Sequence, residues 1–137
     1  MMKTLAAATL LVTMPVLAFA ESHAMQGDPA AGEAVFRKCM ACHAVGEGAQ
    51  NKVGPMLNGV VGREIAALED FNYSDALIAL REEGKSWTPE ELAAFLEKPR
   101  DYATGTKMAF PGLRKEEERN DVIAYLATFT AEADGGS

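Results

Sequence analysis

Apolar positions in this chain gather into a few short stretches of helical period, separated by long runs rich in glycine and polar residues. Near the end, Val122, Ile123, Leu126 and Phe129 recur at the spacing of one helix face, and the acids Glu116, Glu117 and Glu118 stand near that helix's positive end. The spacing predicts a terminal helix over residues 115–130. Asp28 before Pro29, followed by Ala30, Ala31, Glu33, Ala34, Val35 and Phe36, supplies a cap, a proline at the first helical position and good helix formers. A helix from residue 29 to about 39 follows. Ser74 and Asp75 can cap a short helix through Ala76, Leu77, Ile78 and Leu80 that stops at Gly84. Thr88, Pro89 and Glu91 form a capping box that opens another, which ends before Pro99.

From residue 45 to 72 no period survives among Gly46, Gly48, Gly54, Pro55, Gly59 and Gly62, and the segment reads as a long ordered loop held by something other than regular structure. Nothing alternates with period two over a useful length. The pattern therefore predicts an all-α domain of about four to five short helices and long loops. Such helices bury too little for a conventional core, and a large apolar cofactor at the centre would make up the deficit.

The first twenty residues are written differently. Lys3 is a positive start, residues 5–17 are almost wholly apolar, and Ala18-Phe19-Ala20 reads as a small-residue cleavage site. A secretory signal peptide cleaved after Ala20 is expected; a membrane anchor would need a longer run. Residues 21–137 then form one domain with a frayed tail from about 131, a periplasmic monomer without a later span. The chain has 13 Lys and Arg against 20 Asp and Glu, a net charge of −7. Loss of Lys3 with the leader makes it about −8. That acidity argues against a nucleic-acid partner.

Cys39-Met40-Ala41-Cys42-His43 is a C-x-x-C-H motif containing the chain's only 2 cysteines. Two thiols one turn apart can add to the two vinyl groups of a haem, and the adjacent histidine then lies under the iron as an axial ligand. A disulfide between these cysteines would close so small a loop that it stabilises little. A thioredoxin-like pair would want a βαβ pattern. A zinc site would need further ligands, and outside the motif only His23 and scattered carboxylates offer themselves. For the other face of the iron the mature chain has Met25, Met40, Met56 and Met108. Met108, in the small-residue loop Thr104-Gly105-Thr106-Lys107-Met108, is the candidate, against the alternative of a flexible core filler.

These features, together with Gly32 and Phe36, Lys52-Val53-Gly54-Pro55, Gly59, Gly62-Arg63, Phe71-Asn72-Tyr73-Ser74-Asp75-Ala76, Trp87, Pro99, Gly105-Thr106-Lys107-Met108 and the terminal Asp121-Val122-Ile123-Ala124-Tyr125-Leu126, resemble the mitochondrial cytochrome c and bacterial cytochrome c2 branch of the class I cytochromes c. The resemblance implies the class I fold wrapped around one covalent haem c, with His43 and Met108 as axial iron ligands. It implies that the Pro55 carbonyl accepts a hydrogen bond from the His43 ring, that Tyr73 and Trp87 hydrogen-bond a buried propionate, and that Arg63 offsets its charge. Lys38, Lys52, Arg100 and Lys107 take positions that in the family surround the exposed haem edge, where transient redox partners dock.

The implied activity is that of a one-electron carrier and not an enzyme. Its partners would be a cytochrome bc complex as donor and a reaction centre, terminal oxidase or denitrification reductase as acceptor. Two departures stand out: Phe95 where the family often has tyrosine, and Leu77 where it often has asparagine. A haem enzyme or gas sensor with an open iron position, and a colourless thiol–disulfide oxidoreductase, are the rival readings.

Overall fold

The computed structural model describes residues 26–131. The expected signal peptide, its cleavage site, His23, Met25 and the tail after residue 131 lie outside the described residues. Within them the chain forms five helices: α1 (Pro29–Phe36), α2 (Asp75–Glu82), α3 (Pro89–Glu97), α4 (Pro99–Tyr102) and α5 (Glu116–Leu126). The only β pairing among the described residues is an isolated antiparallel bridge between Glu64 and Ser86.

α1 begins where Asp28 accepts a 2.8 Å hydrogen bond from the Ala30 amide. It stops at Phe36, three residues before the expected end, because the Lys38 amide bonds to Val35 and the Cys39 amide to Phe36. These three-residue bonds turn the chain out of the α-helix. α5 likewise ends at Leu126 and relaxes into turns, with the Thr128 amide on Tyr125 and the Phe129 amide on Leu126.

α1 crosses α5 at Gly32, where a Cβ would stand 2.7 Å from the Tyr125 Cβ and closer still to the Asp121 carbonyl. The missing side chain lets the two backbones touch. Beside the crossing the Phe36 and Tyr125 rings lie 5.4 Å apart, and Val35, Val122, Ile123 and Leu126 complete a dry seam.

α3 starts at Thr88, whose hydroxyl accepts from the Glu91 amide, and buries Leu92, Phe95 and Leu96 on the side that meets α5. The one-turn α4, which the sequence pattern did not predict, follows at Pro99. α2 has no fully buried residue, but Leu77, Ile78 and Leu80 rest half-buried on the core. Arg81 at its end donates to the carbonyl of Ala66, which sits at φ +55°.

The long loop is held by backbone bonds to distant segments: Gly59 to Phe129, Gly62 to Trp87, Ile65 to Lys85, and Trp87 back to Arg63. No helix among the described residues is long and apolar enough to cross a membrane.

Candidate functional site

The C-x-x-C-H motif sits on the turns that unwind α1. The Cys42 and His43 amides both bond to the Cys39 carbonyl, at 3.1 and 2.9 Å, which stacks the two thiols on one side of a single turn. Both cysteines are free and half-buried. Burial raises the Cys39 thiol above its ordinary range, against the pull of neighbouring Lys38.

His43 is fixed on two sides. Its Nδ1 lies 2.7 Å from the Pro55 carbonyl oxygen, and because a carbonyl only accepts, Nδ1 carries the hydrogen and Nε2 keeps its lone pair. The Gly54 amide bonds to the Cys42 carbonyl, bringing Gly54 flat against the ring, where a Cβ would come within 2.8 Å of both ring nitrogens. Burial lowers the His43 pKa, with the Pro55 bond opposing it, so the imidazole is held neutral. A neutral ring with one nitrogen engaged and the other free is the form that ligates a metal.

Asn58, fully buried, accepts from the Gly46 amide and donates to the Gly46 carbonyl, both at 2.8 Å, closing the loop that follows His43. Arg63 reaches under this loop to the carbonyls of Asn58 and Met56 and leaves its buried Nε without a protein partner. The neighbouring Tyr73 phenol is raised by burial and lowered by the charge of Arg63. Tyr73 and Trp87 are 9 % and 6 % exposed.

Met108 is half-buried against the core, its amide bonded to the Thr106 hydroxyl. Lys107 beside it donates to the carbonyls of Asn72 and Tyr73, tying the methionine segment to the tyrosine.

The four expected partner-facing cations are not equivalent. Lys52 donates to the Met40 carbonyl inside the motif, and Lys38 is paired with both oxygens of Glu118 on α5 at 3.1 Å. Lys107 is tied as described. Arg100, exposed on α4, lines a shallow groove with Lys98, Asp101 and Phe110. Two large hydrophobic side chains stand in solvent, Met40 within the motif at 55 % and Val53, one residue before Gly54, at 81 % exposure.

Sequence reasoning did not single out Asn58 or Glu118. The Asn58-Gly59 pair reads as an ordinary turn, and Glu118 as one of three helix-start acids.

Two half-buried thiols on one turn, a neutral histidine with a free Nε2, and the orphaned buried Arg63 Nε fit a covalently held haem. No cluster of three or more His, Cys, Asp or Glu fit to hold a metal ion by itself occurs among the described residues. The two cysteines and the histidine make up the donor set of a haem protein. The cytochrome c sequence profile matches residues 29–130, and the chain belongs to the cytochrome c family.

Within that family it is of the class I bacterial cytochrome c2 type. It is 55% identical over 104 residues to cytochrome c-550 of Ancylobacter novellus, covering 76% of this chain and 97% of the relative. It is 52% identical to a cytochrome c2 of Agrobacterium tumefaciens, over 74% of this chain and 91% of the relative. The solved structure of cytochrome c2 from Rhodospirillum centenum superposes with a TM-score of 0.71 at 47% identity, covering 76% of this chain and 99% of that one. The fold is the class I cytochrome c fold expected from the sequence. The chain carries one covalently bound haem c with its iron, and it is an electron-transfer protein rather than an enzyme, with transient redox partners.

Proposed function

We propose that this chain is exported to the periplasm with residues 1–20 removed, and there carries single electrons from a cytochrome bc-type complex to a reaction centre, terminal oxidase or denitrification enzyme. In this reading residues 21–137 act as a monomer. Cys39 and Cys42 hold the haem as thioethers, and His43 through Nε2 and Met108 through its sulfur are the axial ligands. The bound group supplies a reversible one-electron Fe(II)/Fe(III) couple, which Met/His ligation places at a raised potential.

The observation that carries the reading is the engagement of His43 Nδ1 by Pro55, which leaves Nε2 as the ring's one free donor and fixes its direction. Pro55 thereby orients the ligand, and Gly54 admits the ring so closely that it cannot turn aside. Arg63, with Tyr73 and Trp87, binds an inward propionate, for which the orphaned Arg63 Nε is the available donor. With His43 and Met108 both engaged, the bound group would keep no standing open position for a substrate.

Lys38, Lys52, Arg100 and Lys107 form the basic rim that orients an acidic partner. Exposed Met40 and Val53 supply the small apolar contact of a short-lived encounter.

The visible spectrum of the periplasmic protein tests this. Expected are a haem-stained band in denaturing gels, a sharp reduced α-band at about 550 nm and, in the ferric form, a sulfur-to-iron band at about 695 nm. A Met108→Ala variant that keeps the far-red band refutes the ligand assignment, and a colourless protein refutes the whole reading.

A further inference from the structure

We propose that Glu91 and Tyr102 form a latch that positions the methionine loop, holding α4 against α3 so that residues 103–108 present Met108 in one arrangement; this rests on the reading of Met108 as an axial ligand. The Tyr102 hydroxyl donates to Glu91 Oε2. The other oxygen of the same carboxylate, Oε1, lies 3.8 Å from Lys85 Nζ, and that ammonium stands 5.8 Å from the centre of the Tyr102 ring. The two oxygens of Glu91 are therefore divided between a cation and a phenol, and the cation also covers the phenol's ring.

Below this polar cap the Tyr102 ring meets Phe95 edge-on at 5.7 Å and Trp87 at 6.3 Å, and Phe95 and Trp87 meet each other at 4.9 Å. Tyr102 is thus wedged between a buried aromatic pair and a surface ion pair.

What it holds is the start of the loop. Tyr102 is the last residue of α4, the Ala103 amide bonds back to Pro99, the Thr106 amide bonds to Ala103, and the Thr106 hydroxyl receives the Met108 amide. These bonds are all local. Among the described residues, the polar side-chain tethers from 102–108 to another part of the chain are two: Lys107 onto Asn72 and Tyr73 at one end, and Tyr102 onto Glu91 at the other. A loop tied at both ends opens less readily than one tied at one end. Burial, then the Glu91 bond and the charges of Glu91 and Glu83, keep the phenol protonated, so the donor persists through the physiological range. Glu91, which sequence reading assigns only to a capping box, has its side chain committed to Tyr102 and Lys85.

Imidazole supplies the test, because it can reach the ferric iron only when the methionine loop opens. Holoprotein is titrated with imidazole while the far-red sulfur band is followed, and the amplitude and half-saturation are recorded. Tyr102→Phe and Glu91→Ala each remove one tether and should lower the half-saturating imidazole about tenfold, the worth of one hydrogen bond to a charged group. Their double variant should be no worse than either alone, since the two groups act as one bond. Glu91→Gln keeps an acceptor oxygen and should stay within about threefold of the parent. Half-saturation in Tyr102→Phe and Glu91→Ala within about twofold of the parent overturns the latch, as does a Glu91→Gln variant that falls as far as Glu91→Ala. A parent protein lacking the sulfur band refutes the ligand reading itself, an outcome distinct from a normal band with an unmoved titration.

Discussion

Replacing Gly54 by alanine tests the histidine's placement with a single methyl group. In the native arrangement that methyl would lie 2.8 Å from both His43 ring nitrogens and nearer to Cε1, whereas ordinary contact begins at 3.4 Å. The ring must therefore retreat by at least about 0.6 Å at its nitrogens, and more at Cε1. Backbone relief is limited because Gly54's own amide donates to the Cys42 carbonyl and its carbonyl accepts from the Lys52 amide.

Overpacking of this kind costs about 1–3 kcal/mol. Disturbing the 2.7 Å bond to Pro55 adds about 1 kcal/mol. The reduced freedom of the unfolded chain returns about 0.5–1 kcal/mol. The expected net loss is about 1–3.5 kcal/mol, which in a domain of this size lowers the midpoint of thermal unfolding by roughly 4–20 °C.

Holoprotein unfolding in guanidinium, followed by far-ultraviolet dichroism, gives the stability, and the ferric and ferrous spectra report the ligand field. Gly48→Ala is the control. Its methyl would meet nothing within 4 Å, so it bears only the strain of φ +72°, about 1 kcal/mol, and should leave the spectrum untouched. A Gly54→Ala protein within about 0.5 kcal/mol of the parent, with an unchanged spectrum, refutes the claim that Gly54 confines the ring.

Three further outcomes are expected. Gly32→Ala should lower stability by about 2–4 kcal/mol despite alanine's better helix propensity, because its methyl would meet α5 backbone that cannot swing aside; denaturant midpoints check this. Glu118→Gln releases Lys38 from its partly exposed pair, leaves stability within about 1 kcal/mol, and should raise the rate of oxidation by anionic ferricyanide about twofold at low salt, a gain that vanishes at high salt in stopped-flow measurements. For pH, the folded Tyr102 phenol titrates above its unfolded value, so its contribution is fully present below pH of about 10 and is lost as pH rises further. Above about pH 10, stability should therefore fall less steeply with pH in Tyr102→Phe than in the parent, as denaturant unfolding at pH steps checks.

The starts of α1, α2 and α3 were readable because each is a local event: a side chain at Asp28, Ser74 or Thr88 bonds an amide two or three residues on. The ends were less readable. α1 gives way to turns before Cys39 because the motif must unwind to carry its thiols and His43, a demand set by the tertiary site and not by helix propensity. α4 went unseen because four residues cannot display a period; the loop of residues 45–72 was legible as an ordered loop, but not what holds it, because its partners, such as Phe129 for Gly59, lie far along the chain.

The site divides in the same way. Cys39, Cys42 and His43 announce themselves by spacing. The bond from Glu91 to Tyr102 joins two unremarkable surface types eleven positions apart, and no local pattern signals it.

The crossing at Gly32 also governs the order of events during folding. α1 is made first, but its seam is closed by α5, and the Asp28 amide finds the Asp121 carboxylate 93 positions later. Contacts of such separation raise contact order and delay folding, since the intervening chain must be looped before any of them forms. While the chain is incomplete, Gly32, Val35 and Phe36 have nothing to bury them.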